Sequence, residues 1–350
     1  MKLIEFAHRL RGFIHDSNNG INSLKTLLTK SEEEFFKAYD LIDIAEFAHV
    51  KGDSGDSATR KTKIRARLQK LITEANQIIP QTMQNDYEQI NKFYDLFFNA
   101  DGTAKEEANV KPIMREALFH AVKLDKYEIK DRGYLFMFPN SLINLSPKYR
   151  FNQDGSPCLY LGATLYNAWE ETRRPDFEKA NFTLYKPQKK LFLMSMYIDA
   201  NMRSYGEFAM AYFALISARK TNDEDKHHYQ YVVPNLFMSI LTHSIAVTKG
   251  RPIDGIRYLS SRGLDGVDYQ FNSGEVDEAF VFPQQINADG ELDNSHICDL
   301  FKMTDPRNYF YYKIHRFDFG KKTARVSDYR DSLFYAIEQQ LKKEPVKDIK

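Results

Sequence analysis

The chain has 350 residues, 43% of them hydrophobic, and 49 Lys plus Arg balance 48 Asp plus Glu to leave a net charge of +1. This length predicts two domains with a substantial core, and the balanced charge argues against broad electrostatic binding to nucleic acid. The two cysteines, Cys158 and Cys298, give no disulfide framework and fit a reducing compartment.

The N-terminal stretch is interrupted by Glu5, His8, Arg9 and Arg11, so no signal peptide is read there. The longest apolar run, Ala209 to Ile216, is too short to span a bilayer. A soluble, cytoplasmic protein with no membrane partner is expected. The histidines form no H-E-x-x-H or related pattern, so no metal is expected.

Residues 1–120 read as a helical bundle of about five or six helices. Leu3, Phe6, Ala7, Leu10 and Ile14 recur at helical spacing, and Asn18-Asn19-Gly20 reads as a turn. Ser31 and Glu34 read as a capping box before Phe35, Ala38 and Leu41. A loop from Gly52 to Ser57 leads to a helix with Ile64, Leu68, Leu71 and Ala75, which Pro80 closes. Arg60, Lys61, Lys63, Arg65, Arg67 and Lys70 on that helix read as a solvated basic face. Tyr87, Ile90, Tyr94 and Phe97 mark the next helix, and Pro112 opens one through Phe119.

From residue 121 to 350 strands enter. Tyr127 to Ile129 and Gly133 to Phe138 read as strands, as do Lys190 to Ile198, Gly255 to Ser260, Glu278 to Phe282 and the aromatic run Tyr309 to Phe317. Helices are predicted over about residues 204–218 and 230–247 and around Leu333, Ile337 and Leu341; the polar stretch Lys220 to His228 is a loop and the C-terminus a charged tail. No G-x-G-x-x-G follows a strand and no P-loop is present, so a doubly wound dinucleotide fold is not expected. The fold class is α+β: a helical N-terminal domain (1–120, regulatory or for interaction) followed by a second domain (121–350).

The most informative stretch is Tyr149 to Arg174. Asp154-Gly155-Ser156-Pro157 is turn chemistry, Cys158 to Leu161 a short strand, and Thr164 a cap for a helix carrying Ala168, Trp169, Glu170 and Glu171. Arg150, Tyr160 and Glu171 are thus spaced along one β-turn-α unit.

These residues resemble the RES family, named for its Arg, Glu and Ser. The matching blocks are Arg150-Phe151-Asn152, Gly155-Ser156-Pro157, Leu159-Tyr160-Leu161 and Ala168-Trp169-Glu170-Glu171, then Gly255-Ile256-Arg257-Tyr258-Leu259-Ser260. The resemblance covers roughly residues 125–285. It implies a fold like that of ADP-ribosylating toxins and an NAD glycohydrolase (NADase) activity, in a toxin of a toxin-antitoxin pair or an antiviral defence effector. NAD is then the substrate, and an antitoxin or regulatory protein the expected partner; a homo-oligomer is left open.

The resemblance assigns Glu171 to the oxocarbenium-like transition state, Arg150 to the diphosphate, Tyr160 to the nicotinamide ring and Ser260 to a ribose or amide group. These residue types suit that chemistry. Family register selects Glu171 over Glu170 and Ser260 over Ser261; taken singly, each residue also reads as ordinary surface or core. Arg257 and Arg262 read as surface charges or secondary phosphate contacts, and Trp169 as a packing residue. The alternatives are an ADP-ribosyltransferase, in which an acceptor nucleophile replaces water, and a binding protein or HEPN-like ribonuclease. The last would use Arg9 and His15, whose six-residue separation is not a same-face spacing on a straight helix.

Overall fold

The computed structural model describes residues 1–16, 21, 23–51, 54–84, 87–123, 132, 149–152, 157–219, 229–243, 247–248, 251–260, 276–286, 292–293, 295–314 and 329–349. The helices are α1 Leu3–Asp16, α2 Leu24–Asp40, α3 Ser57–Thr82, α4 Tyr87–Phe97, α5 Leu165–Glu171, α6 Tyr205–Ala218, α7 Val232–His243, α8 Ser295–Leu300, α9 Tyr309–Ile314 and α10 Leu333–Leu341. The strands are β1 Val110–Ile113, β2 Leu118–Lys123, β3 Cys158–Gly162, β4 Ala180–Pro187, β5 Leu191–Met196, β6 Val247–Thr248, β7 Arg251–Pro252, β8 Gly255–Leu259, β9 Glu278–Pro283, β10 Gln285–Ile286, β11 Leu292–Asp293, β12 Phe301–Met303, β13 Arg307–Asn308 and β14 Lys347–Asp348. The protein is mixed helix and sheet with a helical N-terminal region. The chain forms two compact units: Met1–Lys111, Lys148–Gln153 and Phe192–Leu259 make the first, and Pro112–Pro147, Asp154–Leu191 and Ser260–Lys350 the second.

The first unit is built around α6. Ser204 starts this helix with a capping box: its side chain accepts from Glu207 N–H, and the Glu207 carboxylate accepts from the Ser204 backbone. The helix is apolar all round, and every residue from Tyr205 to Ala218 is buried. Phe208 meets Phe6, Tyr39 and Phe47, while Phe213 meets Phe93, Phe97 and Phe237. Gly206 is required by close approach, because a Cβ there would lie 2.0 Å from the Glu106 carbonyl oxygen. In the same unit β5 pairs in parallel with β8, Met194 opposite Ile256.

Two helix boundaries differ from expectation. Ser31 is not a cap but a buried residue inside α2, its hydroxyl donating back to Leu27 O; Ser23 caps the helix, because Leu24, Leu27 and Leu28 extend the apolar face upstream. Pro80 lies within α3, which continues to Thr82, where the Thr82 hydroxyl donates to Ile79 O. The basic residues of α3 mostly have structural partners. Arg60 donates to Phe47 O and Ala48 O, Lys61 to Asp40 O and Ile42 O, Arg65 to the Asp40 carboxylate and Arg67 to Glu106.

The second unit carries an antiparallel sheet in the order β9-β3-β2-β4-β12-β14, with β13 also on β4. Alternation sets its faces. Phe119 and Ala121 of β2 and Phe182 and Leu184 of β4 point into a core completed by Leu165 and Ala168 of α5 and Phe334, Ile337 and Leu341 of α10.

The helix expected from Pro112 to Phe119 is instead β1 and β2. Six β2 residues pair with β4, from Leu118 opposite Tyr185 to Lys123 opposite Ala180, so cross-strand pairing overrides the local signal. Tyr309–Ile314 is a helix, not a strand: Asn308 Oδ1 accepts from Tyr311 N–H and starts it. The helix predicted over 230–247 is a 3-10 turn, then α7, and Val247 lies in β6. Lys347–Asp348 of the expected tail pairs with β12. The predicted strands at 127–129 and 133–138, the turns at 18–20 and 154–156, residues 52–53 of the first loop and the loop at 220–228 lie outside the described residues.

Candidate active site at the end of a two-turn helix

Thr164 begins α5, its hydroxyl accepting from Asn167 N–H at 3.1 Å. The helix lies close against β3 because Gly162 has no side chain. A Cβ there would sit 2.6 Å from Ala168 N and 2.7 Å from Thr164 O. Gly162 therefore faces α5, and Tyr160, two residues back, projects from the same side of the strand. Leu159 and Leu161 are buried on the opposite side. Tyr160 and α5 thus share one face of the sheet, and Tyr160 is half-buried there.

Glu171 is the last residue of α5 and is half-buried. Ser260, fully buried, donates its hydroxyl to Glu171 Oε1. The Ser260 backbone is held in turn, its N–H donating to Asp277 O at 2.8 Å. Two residues 89 positions apart are therefore joined side chain to side chain. A hydroxyl donated to a carboxylate fixes the plane of the carboxyl group.

Glu170, the neighbour on the helix, turns inward. It is 2% exposed and pairs with Arg174 at 2.6 Å. Burial raises the Glu170 carboxyl above its ordinary value against the opposing pull of Arg174. Past the helix end, Arg173 and Arg174 have φ of 65° and 52°, the left-handed region that non-glycine residues seldom occupy. This turn is secured by Arg174 N–H on Trp169 O and by the Trp169 indole N–H on Pro175 O. The two adjacent glutamates thus have separate surroundings, one locked to Arg174 and one to Ser260.

Arg150 belongs to the first unit. It lies in a turn closed by Asn152 N–H on Tyr149 O, beside Phe151, whose ring packs on Tyr258 of β8 at 4.7 Å. Arg257, also in that unit, is not an open phosphate contact. Its guanidinium forms a two-pronged pair with Asp199, donates to Ser195 and lies 4.0 Å over the Tyr197 ring. Lys111 joins the network through Asp199 and Glu207. Burial opposes ionisation of Asp199, but Arg257 and Lys111 together hold its carboxyl below the ordinary range.

Trp169 packs on Tyr166 and Phe334, as a core residue does. Arg9 lies over the Phe13 ring, whereas the His15 side chain, Ser261 and Arg262 lie outside the described residues. Sequence reasoning missed Asn167, whose buried side chain donates to Val276 O, and the Glu170–Arg174 pair. The four-residue spacing of that pair was a readable signal. Among the described residues no group of three or more His, Cys, Asp or Glu is placed to hold a metal, and no helix is long and apolar enough to cross a membrane.

No protein-family model matches the chain, and no solved structure does. The chain is similar to a Bacillus subtilis (strain 168) protein named "Putative toxin YopC", 25% identical over 174 residues, covering 44% of this chain and 38% of that protein. The chain thus spans well under half the length of the curated relative it matches.

Proposed function

We propose that this protein is an NAD glycohydrolase of the RES type acting as a toxin, with Glu171 as its catalytic carboxylate. The observation that carries this reading is the Ser260–Glu171 hydrogen bond, made on the sheet face that Tyr160 shares. The motif resemblance selected these residues from separate blocks of sequence, and the similarity to a protein named a toxin favours the same class.

The chemistry asks little of the site. The bond from ribose C1′ to the nicotinamide nitrogen breaks, and its electron pair leaves with a neutral base, so no general acid is needed. Positive charge develops on the ribose, as in glycoside hydrolysis, and Glu171 stabilises it. Water adds at C1′ and loses its proton to the carboxylate or to solvent. Ser260 keeps the carboxylate oriented and the Tyr160 ring stacks on nicotinamide; the diphosphate role of Arg150 rests on the motif resemblance alone. A neutralising protein partner follows from the toxin class.

The test follows NAD, nicotinamide and ADP-ribose by chromatography, with wild type beside Glu171→Gln, which keeps an acceptor for Ser260. Wild type is expected to consume NAD and the variant to lose at least about 100-fold in turnover. An intact NAD pool with wild type, or equal turnover by the variant, overturns the assignment.

A further inference from the structure

At seven residues, α5 falls below the roughly 12 residues at which a helix begins to hold itself in water. Its placement depends on what grips it. Thr164 supplies the local cap, but the N–H of Leu165 donates to Glu338 Oε1, 2.6 Å away, on α10. Tyr329 donates its hydroxyl to the same oxygen. Glu338 is 4% exposed, and the one oxygen takes both donors. An acceptor at the first turn of a helix also suits the direction of the aligned peptide dipoles. The same α10 sets Phe334 against Tyr166 at 5.2 Å and Trp169 at 5.1 Å.

We infer that Glu338 is a positioning residue: through Leu165 it sets α5 along β3, so that Glu171 at the other end meets Ser260. Its effect on turnover rests on the reading of Glu171 given above; its effect on the placement of α5 does not. A reacting group displaced by about 1 Å costs about 100-fold in rate, so a small shift of this helix is enough.

The chain reports on this directly, because its single tryptophan, Trp169, lies on α5. Full-length wild type is compared with Glu338→Ala, which removes the acceptor, and Glu338→Gln, which keeps it without the charge. Trp169 emission and its quenching by acrylamide are measured with kcat and KM for NAD, and circular dichroism measures the folded fraction. Glu338→Ala is expected to increase quenching and to lower kcat by about 100-fold with KM within about two-fold, and Glu338→Gln to recover most of both. Unchanged Trp169 emission and unchanged kcat per folded molecule in Glu338→Ala, with only a lower unfolding midpoint, overturn the inference. Should Glu338→Ala fail to fold, Tyr329→Phe decides: it removes one donor and little volume, and an emission spectrum identical to wild type overturns the inference. A wild type that leaves NAD intact would sink the proposed reaction, while the Trp169 readout would still judge Glu338.

Discussion

Helices α5 and α6 solve the same problem in opposite ways. Both lie tight against backbone through a glycine, Gly162 for α5 and Gly206 for α6. The longer, α6, carries its own instructions: its capping box lies within four consecutive residues and its 14 buried residues anchor it on all sides. The shorter, α5, depends on Glu338, 173 residues away, and on Ser260, 89 residues away. A helix that serves as scaffold can be self-contained. The helix that presents the proposed catalytic carboxylate is held by groups from other parts of the chain, and under the proposed function each such group is a place where turnover can be lost without the fold.

Gly206→Ala should have the largest effect on stability. Its methyl would meet the Glu106 backbone carbonyl, which has no rotamer to move aside, and about 3 kcal/mol of unfolding free energy should be lost in a urea titration. Gly162→Ala sharpens the contrast. Its methyl would push α5 off β3, and we expect roughly 100-fold lower NAD turnover for a stability loss of about 1–2 kcal/mol. Equal losses of stability in the two variants, with turnover per folded molecule unchanged in both, would erase the distinction between the helices.

The charges at the start of α6 come next. Lys111 links Glu207 to Asp199, which Arg257 also holds. Asp199→Asn should cost about 2 kcal/mol at neutral pH, since the carboxyl is largely shielded and its removal leaves cations underpaired. Its folded-state pKa is lowered from the ordinary 3.8, so this stabilisation is present above that value and is lost as pH falls through the lower folded value. The gap between wild type and variant should therefore close below pH 3.8, and a gap that persisted through acid would remove the charge network from the account.

The caps give the smallest effects. Ser204→Ala and Thr164→Ala should each cost about 1 kcal/mol in thermal or urea unfolding. Only Thr164→Ala should also alter Trp169 emission, because only that cap belongs to the helix bearing the tryptophan.

What could be read in the sequence follows the same division. Thr164, the helix over about 204–218 and the Leu333–Leu341 face were legible because each signal lies within or beside the helix it governs. Pro112 and Tyr309 misled because their surroundings decide: β2 is a strand through its pairing with β4, and the aromatic run from Tyr309 is a helix through Asn308. Ser31 misled because the same hydroxyl that caps a helix can bond backwards inside one. Glu171 and Ser260 were chosen by motif order, and the structure brings their side chains together. Glu338 could not have been found, since nothing near it in the chain marks it as the partner of Leu165.

The two compact units have a consequence for how such a protein can change over generations. Reading from Met1 to Lys350, the chain passes from one unit to the other after Lys111, Pro147, Gln153, Leu191 and Leu259. No single crossover between two genes can therefore exchange one unit whole and leave the other intact. A recombinant joined at any one of these points draws at least one of the units from both parents, and the halves of that core must match at once. Point substitution and loop-length change carry no such demand, which favours the residues around Glu171 travelling together with the helices of the other unit.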